Sequence, residues 1–418
     1  MDNFIIRGGK PLSGQTVISG SKNAALPILL ATLLTREKCE IKNVPELMDI
    51  KSTFELLNYL GKNCFYGYGN FVVEEHTALK LHAPYDLVRK MRASVLAAGP
   101  LLARYHKARF SLPGGCSIGV RPIDIHLESF KKLGAVVTYE KGDVLLSAKK
   151  LKAGRVKFRF PSVGATENLM MCAALIEGET VLENCAKEPE IEDLADALNK
   201  MGAEVTGAGT AVIKIKGRAK LKGLKHTVMP DRIETGTFML LAAAAGGRVR
   251  LLNTAPKTLT ALIKAMEKAG VKINCYKDSM EVIAPHGRPK PVSVVTRPHP
   301  GFPTDLQAPW MVLMARASGE SEVHETIFEN RFMHAPELMR MGADITVTGQ
   351  KAVVRGVPQL LGAPVMCSDI RAGAAMVVAA AAAKGKTVIR RIYHIDRGYE
   401  HLEHKLKDLG VDASRVKA

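Results

Sequence analysis

LADALNKMGAEVTGAGTAVIKI, residues 194–215, passes from a helix into a hairpin. Leu194, Leu198 and Met201 fall four and three residues apart, the apolar stripe of an amphipathic helix. Gly202 stands where such a helix ends in a left-handed residue. Beyond it, residues 203–205 and 211–215 alternate around Gly207-Ala208-Gly209, which predicts two strands joined by a tight turn. The same ending recurs at Gly61, Gly134, Gly270, Gly342 and Gly410, so the six glycines stand 73, 68, 68, 72 and 68 residues apart. A period held over the whole chain marks six copies of one structural unit.

Each copy has the same internal order. A helix rich in small apolar residues is expected at 24–34, 92–103, 167–176, 236–245, 306–317 and 372–383. A strand, a polar loop, the amphipathic helix and the hairpin follow. The sixth copy is short of one strand, because only eight residues follow Gly410. The alternating stretch 3–7, ending in Gly8-Gly9, is the natural supplier of that strand. The chain start therefore belongs with its end. This gives an α/β protein of two three-repeat domains, 21–229 and 1–20 plus 230–418. The crossovers near 20 and 230 form a hinge, and a cleft between the domains is the expected active site.

Composition narrows the function. Charged residues make up 24% and hydrophobic ones 47% of 418 residues, an ordinary globular balance. No basic-then-apolar leader occupies the first 20 residues. The longest small or apolar run, 372–383, is far below the roughly 18 residues of a membrane span. A cytoplasmic protein is expected. Seven cysteines scattered without metal-type spacing predict reduced thiols and no metal, and His394, His401 and His404 read as surface residues. A net charge of +18 attracts anions, while 5% aromatics and a single tryptophan offer few platforms for single-stranded nucleic acid. Small phosphorylated substrates fit best. The expected partners are thus small molecules, with no nucleic acid, no membrane and no cofactor; the sequence leaves self-association open, and a monomer is the working expectation.

The chemistry concentrates in LPGGCSIGVRPIDIH, residues 112–126. Gly114, Gly115 and Gly119 let the backbone turn freely, and Cys116 stands five residues before Arg121. A thiol on such a loop beside a fixed positive charge is poised between thiol and thiolate. An ordinary packed cysteine is the alternative, and the polar, glycine-rich surroundings weigh against it.

Six repeats together with SKNAA (21–25), PGGCSIGVRPID (113–124), PSVGATE (161–167), PTD (303–305), ENR (329–331), DIRAG (369–373) and IDRGYE (395–400) resemble the enolpyruvyl transferase family from end to end. The cysteine loop resembles the branch of the family that acts on UDP-N-acetylglucosamine in peptidoglycan synthesis. The resemblance implies two inside-out α/β barrels, each of three βαβαββ repeats. It also implies transfer of the enolpyruvyl group of phosphoenolpyruvate to the sugar 3′-hydroxyl, with release of phosphate by addition and elimination.

By the same resemblance Cys116 is the proton donor, forms a covalent adduct with phosphoenolpyruvate and is the site alkylated by fosfomycin. Asp305 is the base, although Thr304-Asp305 before an apolar helix reads equally well as a cap. Lys22, Arg121 and Arg397 are expected on the phosphate, Arg331 and Arg371 on the carboxylate, and Asn23 at the sugar and phosphoenolpyruvate. Lys22 and Arg371 each lie 39 residues before their repeat's glycine, and Arg121 and Arg397 each lie 13 before theirs. This repeat-equivalent placement lifts them above ordinary surface charge. Arg92, Arg121, Pro122, Ile123, Asp124, Ile125, Ser162, Val163, Gly164 and Ile327 complete the nucleotide-sugar set, Ser162-Val163-Gly164 also being a plain helix start. Family members often carry a lysine just before that segment, where this chain has Phe160-Pro161. Two rivals remain: the shikimate-3-phosphate type of transferase, which lacks the cysteine loop, and an RNA-binding or RNA-end-processing protein built from related repeats.

Overall fold

Every repeat ends on a four-stranded sheet in the computed structural model, which describes residues 2–88, 91–111 and 123–417, the side chain of Arg92 excepted. Six such sheets occur among the described residues, all with one topology. Two strands run parallel, a third pairs antiparallel with the second, and a fourth pairs antiparallel with the third. In the third repeat Arg155–Lys157 lies parallel to Gly178–Glu183, followed by Val212–Gly217 and Glu204–Thr206. The hairpin register pairs Val205 with Ile215, both buried, which sends the alternating polar residues outward.

The chain start does supply the missing strand. Asp2–Gly8 sits between Gly385–Arg390 and Asp412–Lys417, antiparallel to both. Its Phe4 and Ile6 are fully buried, each worth about 1.5–3 kcal/mol relative to exposure. Leu12–Val17 then runs parallel to Gly247–Leu252. In the other half, Lys225–Thr227 returns to lie parallel to Cys39–Lys42. The described residues accordingly form two compact units, 20–88 with 91–111 and 123–229, and 2–19 with 230–417, each with its own apolar core.

Helices fill the cores. In the second unit Arg232–Ala245, Gln307–Ala315 and Ile370–Ala382 pack on one another and are buried on nearly every side. A helix apolar all round demands that. Alanines 242–244 and 379–382 keep the side chains small enough for close approach. In the first unit Lys22–Ala31, Ala98–Tyr105 and Val163–Ala173 hold the same place. The amphipathic helices, such as Met48–Leu60 and Pro189–Lys200, bury one stripe only. All six recurring glycines after them have positive φ, from 80° to 108°, as a left-handed helix end requires.

The expected helix starts need correction. The apolar runs placed them at 24, 167, 236 and 372, but the helices begin at Lys22, Val163, Arg232 and Ile370. Polar caps at Ser21, Ser162, Asp231 and Asp369 take the leading N–H groups, so the polar residues after them fall inside the first turn. The stretch expected as one helix over 92–103 is a 3-10 segment, Arg92–Ala97, followed by Ala98–Tyr105. Among the described residues no helix is long and apolar enough to cross a membrane.

Candidate functional site

Helix starts carry the cations. Lys22 is the first residue after its cap, Arg232 likewise, and Arg371 the second. A positive charge at the positive end of a helix dipole is locally unfavourable. These positions therefore concentrate positive potential and suit an anion. Lys22 is buried, with Nζ 3.2 Å from Asp49 Oδ2. Asn23 beside it is half-buried.

In the second unit a carboxylate lies between two arginines. Asp305 Oδ1 accepts from Arg331 Nη2 at 2.7 Å and from Arg371 Nε at 3.0 Å. Burial alone would raise the Asp305 pKa, but Arg371 first, then Arg331 and Arg232, hold it well below the usual carboxylate range. The cap reading of Asp305 is overturned. It lies inside the one-turn helix Thr304–Leu306, whose start at Pro303 has no side-chain cap, and its carboxylate bonds guanidinium groups. Asp231 and Asp369, in the neighbouring repeats, do cap: Asp231 accepts from the N–H of Ile233 and Glu234, and Asp369 from those of Arg371 and Ala372.

Arg371 is held from behind. Its Nη1 donates to Tyr399 Oη at 3.2 Å, and that hydroxyl lies 2.9 Å from Thr237 Oγ1, which donates to Ile233 O at 2.8 Å. Tyr399 is buried, which pushes its phenol pKa up and keeps it neutral. Arg397 closes the 3-10 segment Ile392–Arg397 two residues earlier, so one loop carries Arg397 and orients Arg371. Ile327 follows Glu325, whose carboxylate accepts the Ile327 N–H at 2.8 Å. His299 is pushed down to about 4 by burial and by Arg232, and His334 to about 4 chiefly by burial, so both are neutral near pH 7.

The first unit brings together other described residues that the sequence resemblance expects at the nucleotide sugar. Ser162 caps Val163–Ala173 by accepting from the Ala165 N–H at 3.3 Å, which puts Val163 and Gly164 in the first turn. A Cβ at Gly164 would stand 3.3 Å from His126 Cε1, so glycine is what allows the two segments to approach. Asn168 ties them: its Nδ2 donates to His126 Nδ1 at 3.1 Å and to Val95 O at 3.0 Å, and its Oδ1 accepts from the Gly99 N–H at 2.8 Å. One buried amide thus gathers the segment begun by Arg92, the helix Asp124–Lys132 with Ile125, and the start at Ser162. Ile123 is buried just before that helix. Where a lysine is missing before Ser162, Arg159 pairs instead with Asp124.

Cys116, Arg121 and Pro122 lie outside the described residues, as does the side chain of Arg92. The six described cysteines are free; burial pushes Cys64, Cys172, Cys185 and Cys367 up to about 12, so none of those four ionises near pH 7. Among the described residues no group of three His, Cys, Asp or Glu side chains could hold a metal ion. His401 and His404 are exposed, and His394 is half-buried rather than on the surface. Tyr399, Thr237, Glu325, Asn168 and Arg232 were missed in the sequence. Tyr399 alone carried a signal, standing inside the IDRGYE motif.

A family model described as EPSP synthase (3-phosphoshikimate 1-carboxyvinyltransferase) matches residues 6–406. A relative from Elusimicrobium minutum named UDP-N-acetylglucosamine 1-carboxyvinyltransferase is 53% identical over 416 residues, covering 99% of each chain. One of the same name from Idiomarina loihiensis is 52% identical over 420 residues, covering all of both. In three dimensions the chain is similar to the crystal structure of the enolpyruvyl transferase NikO from Streptomyces tendae, with TM-score 0.90 at 25% identity over 100% of this chain and 99% of that one. On a match spanning nearly its whole length, the chain belongs to the EPSP synthase family of enolpyruvyl (1-carboxyvinyl) transferases.

Proposed function

We propose that this chain transfers the enolpyruvyl group of phosphoenolpyruvate to the 3′-hydroxyl of UDP-N-acetylglucosamine, releasing phosphate, as the first committed step of peptidoglycan synthesis in the cytoplasm. The end-to-end identity above 50% to relatives of that name carries the reading. A carboxylate set between two buried arginines supports it.

In this reading the 3′-hydroxyl oxygen bonds to C2 of phosphoenolpyruvate while its proton passes to Asp305 and Cys116 delivers a proton to C3. The C2–O bond to phosphate then breaks and C3 gives up a proton, restoring the double bond. Arg331 and Arg371 hold the carboxylate of phosphoenolpyruvate by their forks; Lys22, Arg121 and Arg397 hold its phosphate, with Asn23 beside them. Asn23, Arg92, Arg121, Pro122, Ile123, Asp124, Ile125, Ser162, Val163, Gly164, Asp305 and Ile327 receive the nucleotide sugar. In this reading residues of both three-repeat domains, 21–229 and 1–20 with 230–418, take part. Asp305 paired with two arginines is a weak base. A substrate carboxylate that takes over those guanidinium groups frees it and strengthens it, so the base is armed only when phosphoenolpyruvate is in place.

Phosphate release from phosphoenolpyruvate is the test, with UDP-N-acetylglucosamine and shikimate 3-phosphate as competing acceptors. Release with the nucleotide sugar alone, lost together with Cys116 alkylation by fosfomycin, is expected. Release with shikimate 3-phosphate alone would overturn the reading.

A further inference from the structure

Glu325 stands one residue beyond the strand Glu320–His324 and is fully buried. Its own N–H donates to Gln350 O at 2.8 Å, which fixes the backbone. Its carboxylate accepts three hydrogen bonds from two separate segments: Thr304 Oγ1 donates to Oε2 at 2.9 Å, and the N–H groups of Ile327 and Phe328 donate to Oε1 at 2.8 and 3.2 Å. Among the described residues no lysine or arginine forms an ion pair with it. A buried carboxylate is expensive unless its lone pairs are used, and here they are used to join two pieces of chain. One is the turn bearing Asp305, where Arg331 Nη2 also reaches Thr304 O at 3.5 Å; the other is the loop bearing Ile327.

We propose that Glu325 is a positioning residue for the nucleotide sugar. It holds the Thr304–Asp305 turn at a fixed distance from the Ile327 amide, and so sets where the 3′-hydroxyl stands relative to Asp305. This rests on the assignment of Asp305 and Ile327 to UDP-N-acetylglucosamine made above. Glu325 touches neither substrate; it acts through the two segments it joins.

The test is steady-state kinetics with both substrates on Glu325→Gln, Thr304→Val and the double variant, with thermal midpoints alongside. Gln keeps one oxygen for the two amides and loses the acceptor facing Thr304; Val removes the donor. Each single variant should raise KM for UDP-N-acetylglucosamine about tenfold, the factor one hydrogen bond to a charged group is worth. KM for phosphoenolpyruvate should stay within about twofold. The double variant should be no worse than the poorer single, because both remove one bond. Thr304→Ser keeps the hydroxyl and should behave as the unaltered chain, which carries the test if Glu325→Gln does not fold. An unchanged nucleotide-sugar KM, an equal rise for both substrates, multiplying effects in the double, or a lowered thermal midpoint alone would each overturn the proposal. If the unaltered chain releases no phosphate from the substrate pair, the proposed function fails first; if it turns over normally and the variants keep its KM, only this inference fails.

Discussion

Two guanidinium groups on one carboxylate oxygen make Asp305 a strong acid, and that has a pH signature. Its pKa is lowered in the folded chain, so its contribution to stability is present above the unfolded value near 3.9 and is lost as pH falls through the folded value. The stability difference between the native chain and Asp305→Asn should stay constant from pH 8 to 5 and shrink only below about pH 4, as urea titrations will show. The same substitution should lower kcat by about 10²- to 10⁴-fold, the usual worth of a general base. His334 acts in the same direction but in a higher pH window. Lowered to about 4 while the unfolded value is about 6.5, it takes up a proton on unfolding, so stability falls as pH drops from about 6.5 to 4. His334→Gln should flatten that part of the acid limb. Neither effect was legible in the sequence. Thr304-Asp305 before a helix reads as cap or catalyst, and what removes the cap reading is Arg331 and Arg371, 26 and 66 residues away. The contact of Tyr399 was hidden for the same reason, its hydroxyl meeting Thr237 across 162 residues.

At the scale of elements the sequence was most readable where local chemistry rules. The six glycines end helices because a left-handed residue is needed there, and periodicity alone located them. Gly202 has φ of 104° and nothing lies within 4 Å of where a Cβ would stand, so only backbone strain opposes a side chain. Gly202→Ala should cost about 1–2 kcal/mol without disturbing the core, measured by denaturant unfolding. Asn168 is the opposite case. It reads as an unremarkable polar residue in an apolar helix, yet it joins three segments through partners 42 to 73 residues away. Asn168→Ala takes the side-chain acceptor from the buried Gly99 N–H, while the Val95 carbonyl keeps the Ala98 N–H, and should cost about 1–3 kcal/mol. The misplaced helix starts share one cause: apolar runs mark where a helix is buried, whereas polar caps mark where it begins.

For the whole molecule, counting repeats carried the argument furthest, because a short last copy required a strand from elsewhere and Asp2–Gly8 supplies it. That strand occupies the centre of its sheet, so its removal leaves two unpaired edges and a gap in the core where Phe4 and Ile6 stood. The proposed function rests on a reaction in which C3 of phosphoenolpyruvate becomes a methyl group and then returns to a methylene. Turnover in deuterium oxide, with the product analysed by mass and proton resonance, tests this most directly. Deuterium in the vinyl group of the enolpyruvyl nucleotide sugar is the result this account predicts. A product formed at full rate with no deuterium at that carbon would contradict it.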